Sequence, residues 1–288
     1  MTISNQFRER AGFTMVELMS SMAIAGLLLV ALLGGFASYV RAYRVRSDLS
    51  TIQQNVRRAT DMIARDLRHA GYGVPMPSDN LADWVTWMPG ITNPVMVVAG
   101  IGPADPDQLI ITGALDAPVS SLRLASAPGD TVLNIQTGDG GLFNNTDRKM
   151  VVIGRVETAR VIGITQNALT ISKDPAAIGA GLAHGYPAGT PIELVEVITY
   201  RVVSESTGFP GVPYLMRLGN SDLPPADAAL GIAALYIDDF GVTRLENDNI
   251  QLTVRGRTPH PDRHFLHPDL NDSYRRIQMR TAVFVRNQ

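Results

Sequence analysis

Apolar residues crowd the start of the chain and alternate with polar ones through the rest of it. From Leu18 to Val40 no side chain is ionisable apart from Tyr39, and the run is mostly Leu, Ala, Met, Gly and Val. At about 1.5 Å per residue a helix over that stretch reaches roughly 34 Å, enough to cross a hydrocarbon core of about 30 Å. Beyond it the apolar period changes instead of ending. Val45, Leu49, Ile52, Val56, Ala59, Ile63, Leu67 and Ala70 recur at steps of three and four, which is one stripe of an amphipathic helix. The opposite face carries Arg46, Asp48, Gln53, Gln54, Arg57, Arg58, Asp61 and Arg65. The pattern predicts a single helix from about Phe13 to Ala70. Its first half is apolar all round and belongs in lipid or among similar helices; its second half must cover a sheet. Gly71-Tyr72-Gly73-Val74-Pro75 stops it, since Gly supplies a left-handed exit and Pro forbids continuation. Gly34-Gly35, inside the apolar half, is either a flex point or a small-residue packing surface.

After the helix the period is that of strands. Residues 76 to 94, rich in Pro, Asp and Asn and holding Trp84 and Trp87, read as a surface loop. Strands are predicted at 94–100, 108–112, 121–125, 131–136, 150–156, 160–165, 168–172, 192–203, 214–218, 250–255 and 277–286, where β-branched residues dominate between Gly, Pro, Asn and Asp. Ala226–Tyr236 reads as a short helix. Brief separators imply mostly antiparallel pairing. One long helix followed by strands makes the fold class α+β. There is no internal repeat and no low-complexity tract.

Composition narrows the function. The chain has 288 residues with a net charge of −2, so no overall basic field points to nucleic acid. It has no cysteine, which excludes disulfides, thiolate metal sites and cysteine nucleophiles.

One carboxylate breaks the apolar run at its head. Glu17 sits beside Leu18, where an acid costs on the order of 2.5–3.5 kcal/mol if it lies centrally in a membrane and less near the interface. An acid kept there waits for a partner. Were the chain cut between Gly12 and Phe13, the new amine and this carboxylate would lie one helical turn apart. They could neutralise each other within a subunit or between neighbours stacked with an axial offset. Three plainer accounts compete. An ordinary secretory signal cleaved near Gly35-Phe36-Ala37 has an apolar region of about 7–15 residues, shorter than this one. A simple anchor explains the length but not the Gly-Phe-Thr context, and a buried core helix needs no such uniform apolarity. Arg8 and Arg10 precede the run while Arg41, Arg44 and Arg46 follow it, so charge does not orient the span.

Gly12-Phe13-Thr14-Met15-Val16-Glu17-Leu18, after a short charged leader and before a long apolar run, resembles the class III signal of type IV pilins and type II secretion pseudopilins. The resemblance implies cleavage after Gly12 by a prepilin peptidase, N-methylation of Phe13, and a role for Glu17 in aligning the subunit in a growing fibre. It divides the chain into a leader (1–12), an assembly half of the helix (13–40), an amphipathic half (41–73) and a β-rich pilin head (74–288). Ala64-Arg65-Asp66-Leu67-Arg68-His69-Ala70-Gly71-Tyr72-Gly73 is similar to the helix end of the large minor pilins of the PilW type, as are Asp107–Thr112, Gly129–Leu133 and the last strand. Implied partners are other major and minor pilins, the peptidase and an inner-membrane assembly platform. The implied location is the inner membrane and then a fibre. A pseudopilin of type II secretion shares the helix chemistry. Many pilins close a C-terminal loop with a disulfide; this chain must hold that region by packing or by an ion.

Other chemistry is sparse. His260, His264 and His267, with Asp262 and Asp269, are ligand types for zinc or copper, but interleaved prolines exclude the helix that would align them. Asp238, Asp239 and Asp248 with Asn247 and Asn249 could gather around calcium, and Gly138-Asp139-Gly140-Gly141 with Asn144, Asn145 and Asp147 is a second acidic loop; neither has the EF-hand pattern. No nucleophile elbow or phosphate loop occurs. The expectation is a structural and interaction subunit with neither catalysis nor a resident cofactor; its nearest alternative is the type II secretion pseudopilin, and the alternative from a different class is a membrane-anchored exported enzyme or metal-binding protein.

Overall fold

A computed structural model describes residues 14–74, 93–100, 106–115, 118–143, 150–173, 179–204, 209–219, 231–245 and 249–285. The chain forms two compact units, Met1–Leu49 and Ser50–Gln288. One helix, α1 (Met15–His69), contributes to both. In the first unit every residue from Thr14 to Tyr39 is exposed. In the second, the predicted stripe is buried from Ile52 onward: Ile52, Val56, Ala59, Ile63, Leu67 and Ala70 are fully excluded from solvent.

The head is antiparallel throughout its described pairings. Its strands are β1 (Val95–Val98), β2 (Gln108–Gly113), β3 (Ser120–Ser121), β4 (Val132–Asn134), β5 (Met150–Ile153), β6 (Glu157–Thr165), β7 (Ala168–Ser172), β8 (Pro191–Val203), β9 (Tyr214–Leu218), β10 (Ile232–Leu235), β11 (Ile237–Arg244), β12 (Asn249–Arg257) and β13 (Arg276–Phe284). The long strand β8 serves two structures. Its second half lies between β2 and β9, in a ladder that runs β1-β2-β8-β9-β10. Its first half pairs with β3 and β5. From β5 the pairing continues through β6 and β7 to β4, and Leu122 bridges to Ile135 to bring β4 back beside β3. That cycle is a small closed barrel. Its interior is filled by Leu122, Leu133, Ile135, Phe143, Val151, Val161, Ile171 and their neighbours. A separate sheet, β11-β12-β13, carries the C-terminal strands.

The helix meets the head at three glycines. A Cβ on Gly256 of β12 would lie 2.6 Å from the Ile52 side chain and 2.8 Å from that of Val56, so only glycine lets α1 approach this sheet. At the helix exit Gly71 and Gly73 adopt φ of 77° and 72°. The exit is clamped there: Gly71 N–H donates to Thr112 O at 2.8 Å, Ala114 N–H to Tyr72 O at 2.8 Å, and Thr158 Oγ1 to Gly73 O at 2.7 Å. A Cβ on Gly73 would collide with Val152.

Two expectations are corrected. Residues 232–235 of the expected 226–236 helix form β10, because Ile232-Ala233-Ala234-Leu235 pairs with β9 and Tyr236 turns left-handed at φ 61°; the earlier part of that segment lies outside the described residues. Residues 237–244 form β11, where acidic side chains were expected to lie in a loop. The loop with Trp84 and Trp87 also falls outside the described residues.

Candidate functional site

The seven-residue motif opens α1, and the structure describes it from Thr14. Thr14 is the N-cap. Its Oγ1 accepts from Glu17 N–H at 3.2 Å, while the Glu17 carboxylate accepts from Thr14 N–H and from the Thr14 hydroxyl, both at 2.9 Å. This is a capping box, in which two helix-end donors are satisfied reciprocally. Its Thr-x-x-Glu signature is legible in the sequence. The box holds Glu17 Oε2 against the amide of the residue that follows Phe13. Gly12 and Phe13 themselves lie outside the described residues. Around Glu17 the apolar side chains find nothing to bury them: Met15 is 80% exposed and Leu27 73%.

Residues 7–33 match the family model of the prokaryotic N-terminal methylation motif. The match takes in Gly12, Phe13, Glu17 and the larger part of the apolar run, so the chain carries a prepilin-type class III signal, which supports a type IV pilin-like protein. The helix behind the signal is long and apolar enough to cross a membrane by length and composition. No curated protein and no solved structure matches the chain.

The polar centres of the head are built to hold its parts together. Asp66, on the buried stripe of α1 and 1% exposed, accepts from the Tyr200 hydroxyl at 2.6 Å and from Arg217 Nε at 3.1 Å. Burial pushes the Tyr200 hydroxyl far above the usual phenol range, and the adjoining Asp66 carboxylate pushes it the same way. This centre ties the helix to β8 and β9. Its signal was present in the sequence, since Asp66 sits three residues after Ile63 and four before Ala70, inside the apolar stripe. In the barrel, buried Glu157 takes the Ala183 amide, the Tyr186 hydroxyl at 2.9 Å and Lys173 Nζ at 2.7 Å. Burial alone would raise the Glu157 carboxyl, but these donors outweigh it and hold the group below its ordinary value.

The candidate metal ligands are dispersed or already engaged. Asp238 and Asp239 stand on β11 facing arginines: Asp238 pairs with Arg276 at 2.6 Å and Arg255 at 3.3 Å, and Asp239 with Arg255 at 3.3 Å. Asn247 and Asp248 lie outside the described residues, as do Asn144, Asn145 and Asp147. Asp139 accepts from the Ser120 hydroxyl at 2.7 Å. His260, His264 and His267 all fall in the connection between β12 and β13, residues 258–275, and His267 Nδ1 accepts the amides of Asp269 and Leu270 at 3.2 and 3.3 Å. Among the described residues no group of three or more His, Asp or Glu converges in a way that could hold a metal ion.

That connection is stapled by charge. Arg275 reaches Asp262 through Nε and Nη2 at 3.1 and 2.9 Å, and Arg276 makes a two-pronged pair with Asp272 at 2.7 and 2.6 Å. Arg275 stacks over Phe265, and Arg257 over Tyr274, at 4.8 and 4.3 Å. The His264 amide and Arg275 hold the Asp262 carboxyl below the ordinary carboxylate range, and Arg276 does the same for Asp272.

Proposed function

We propose that the chain is a minor pilin of the PilW type, a structural and interaction subunit of a type IV pilus without catalysis or a resident cofactor of its own. The observation that carries the reading is Glu17, capped onto Thr14 at the head of an apolar helix whose side chains are unburied within the chain. In this reading the prepilin sits in the inner membrane as a single-pass protein with its head outside the cytoplasm. Prepilin peptidase cuts after Gly12, and Phe13 becomes the N-methylated terminus. The carboxylate of Glu17 then pairs with the terminal amine of an adjacent subunit. In a low-dielectric environment the Coulomb term is several-fold stronger than in water, and it offsets desolvation only when the pair is made. That pair sets axial register. Packing among the apolar helices supplies the remaining cohesion, and the head contacts other pilins.

Mass spectrometry of the N-terminus from cells with and without the prepilin peptidase tests this. A mature chain beginning at N-methyl Phe13, seen only with the peptidase, supports the reading. A chain that keeps its first twelve residues, or begins near Ser38, overturns it.

A further inference from the structure

The sheet β11-β12-β13 ends on β13, whose outer edge pairs with no strand among the described residues. The direction of its backbone groups follows from the bond that closes the ladder. Thr258 N–H donates to Arg275 O at 2.9 Å, so the alternation of an antiparallel pair assigns Ile277, Met279, Thr281 and Val283 to bonding with β12. On the far side, Leu245 N–H donates to Asn249 O at 2.7 Å, which gives β12 the matching parity. Gln278, Arg280, Ala282 and Phe284 therefore aim their N–H and C=O groups off the sheet. The other margins of the head offer less. Strands β1 and β10 have four residues each. Strand β11 is covered where Asp107 donates its N–H to Phe240 O at 3.0 Å and accepts from Val242 N–H at 2.8 Å. Strand β13 has nine residues.

Its side chains say what would sit there. On the inner face Ile277 and Met279 are only half-buried, while Ile250, Leu252 and Val254 one strand further in are buried, so the apolar layer runs out at this rim. On the outer face Arg280 is exposed, and among the described residues no carboxylate pairs with it; its neighbour is the Gln278 amide, whose hydrogen bonds are satisfied when it is turned so that its oxygen accepts from Arg280 Nε at 3.0 Å. A second copy is a poor occupant, because full-length pairing of β13 with itself sets Arg280 opposite Arg280, and like charges directly opposite destabilise a ladder. We propose that β13 is a strand-addition site for an extended segment of a different protein subunit, apolar where it flanks Ile277 and Met279 and carrying a carboxylate opposite Arg280. The backbone supplies affinity and the alternate side chains supply specificity. The proposal rests on the pilin reading for the setting in which that subunit is met, the fibre.

The test is Ala282→Pro in the full-length chain, with Arg280→Glu beside it. Proline is tolerated on an edge strand where its missing N–H faced solvent, so the Ala282→Pro chain keeps its thermal midpoint but its incorporation into fibres falls by about tenfold or more. In the wild-type chain, hydrogen exchange at Gln278, Arg280, Ala282 and Phe284 slows on assembly, whereas Met279 and Thr281 are protected beforehand. Equal exchange of the outward amides in the free and assembled chain overturns the proposal, whether or not the proline variant folds. So does normal incorporation of a folded Ala282→Pro chain. Protection in the isolated chain that grows with its concentration would mean a second copy occupies the edge, and overturns it too. Wild-type chain absent from fibres and uncut at Phe13 would instead remove the pilin reading, and this proposal with it; processed and incorporated wild type with an indifferent edge removes the edge alone.

Discussion

Residues 14–39 and the head treat the same kinds of side chain in opposite ways. In the first stretch leucines, methionines and a carboxylate are all exposed, and among the described residues the carboxylate is satisfied by the cap of its own helix. In the head, equally apolar residues are enclosed, and buried carboxylates at Asp66 and Glu157 each have several donors. The difference separates two sources of order. The head encloses its own core, while residues 14–39 leave their apolar side chains unburied. Damage to the head should therefore be read in its unfolding, and damage to the rod in assembly.

The sharpest break of that division is Asp66→Ala. Removing the carboxylate leaves Arg217 and the Tyr200 hydroxyl facing each other inside the head, and loss of one member of a buried pair costs about 3–5 kcal/mol. Denaturant unfolding of the detergent-solubilised chain measures it, and a loss below about 1 kcal/mol would show that the centre does not hold α1 down. Next, Gly256→Leu forces a side chain into the space of Ile52 and Val56. Overpacking of this kind costs about 1–3 kcal/mol, read in the same melt, and Gly256→Ala should cost less.

Acid separates the regions more gently. Asp262 and Asp272 have depressed carboxyl pKa values in the folded chain. Their pairs with Arg275 and Arg276 therefore contribute fully above the unfolded carboxyl value of about 3.9 and are lost as pH falls below it. Hydrogen exchange across 258–275 should accelerate in that window; protection there that does not change as pH falls through it would contradict the assignment. The smallest effects belong to the rod. Thr14→Ala frays the first turn by about 1 kcal/mol and leaves the head's melt unchanged. Glu17→Ala likewise leaves the melt within about 0.5 kcal/mol of wild type and is still processed, but it fails to enter fibres. Normal fibres from that variant would remove the register role.

How much of this was legible depended on the range of the interactions involved. Helix α1 was predicted almost to its ends, since a stripe at steps of three and four and a glycine stop are local signals. Strands β7 and β9 were read residue for residue, being bounded by turns of their own. The closed barrel was not legible, because it exists only through pairings such as β3 with β8 and Leu122 with Ile135, far apart in sequence. Strand β8 read as one long strand, and nothing local said that its halves belong to different structures. Asp238 and Asp239 read as part of an acidic turn with some capacity for a cation, because their arginine partners on β12 and β13 lie well downstream. At the site, Glu17 is marked by the lack of any other charge beside the apolar run, whereas Thr14 reads as part of the motif and its closure of the cap is a matter of geometry.

The staple across 258–275 has a consequence for biogenesis. Ion pairs and ring contacts form as fast as the chain collapses and need neither an oxidant nor a bond-shuffling enzyme. The C-terminal connection can thus close on whichever side of the membrane it first folds, and it can reopen and close again without chemical damage. A chain built this way should tolerate reductants that would spring a disulfide, and its weak point is brine or vinegar instead.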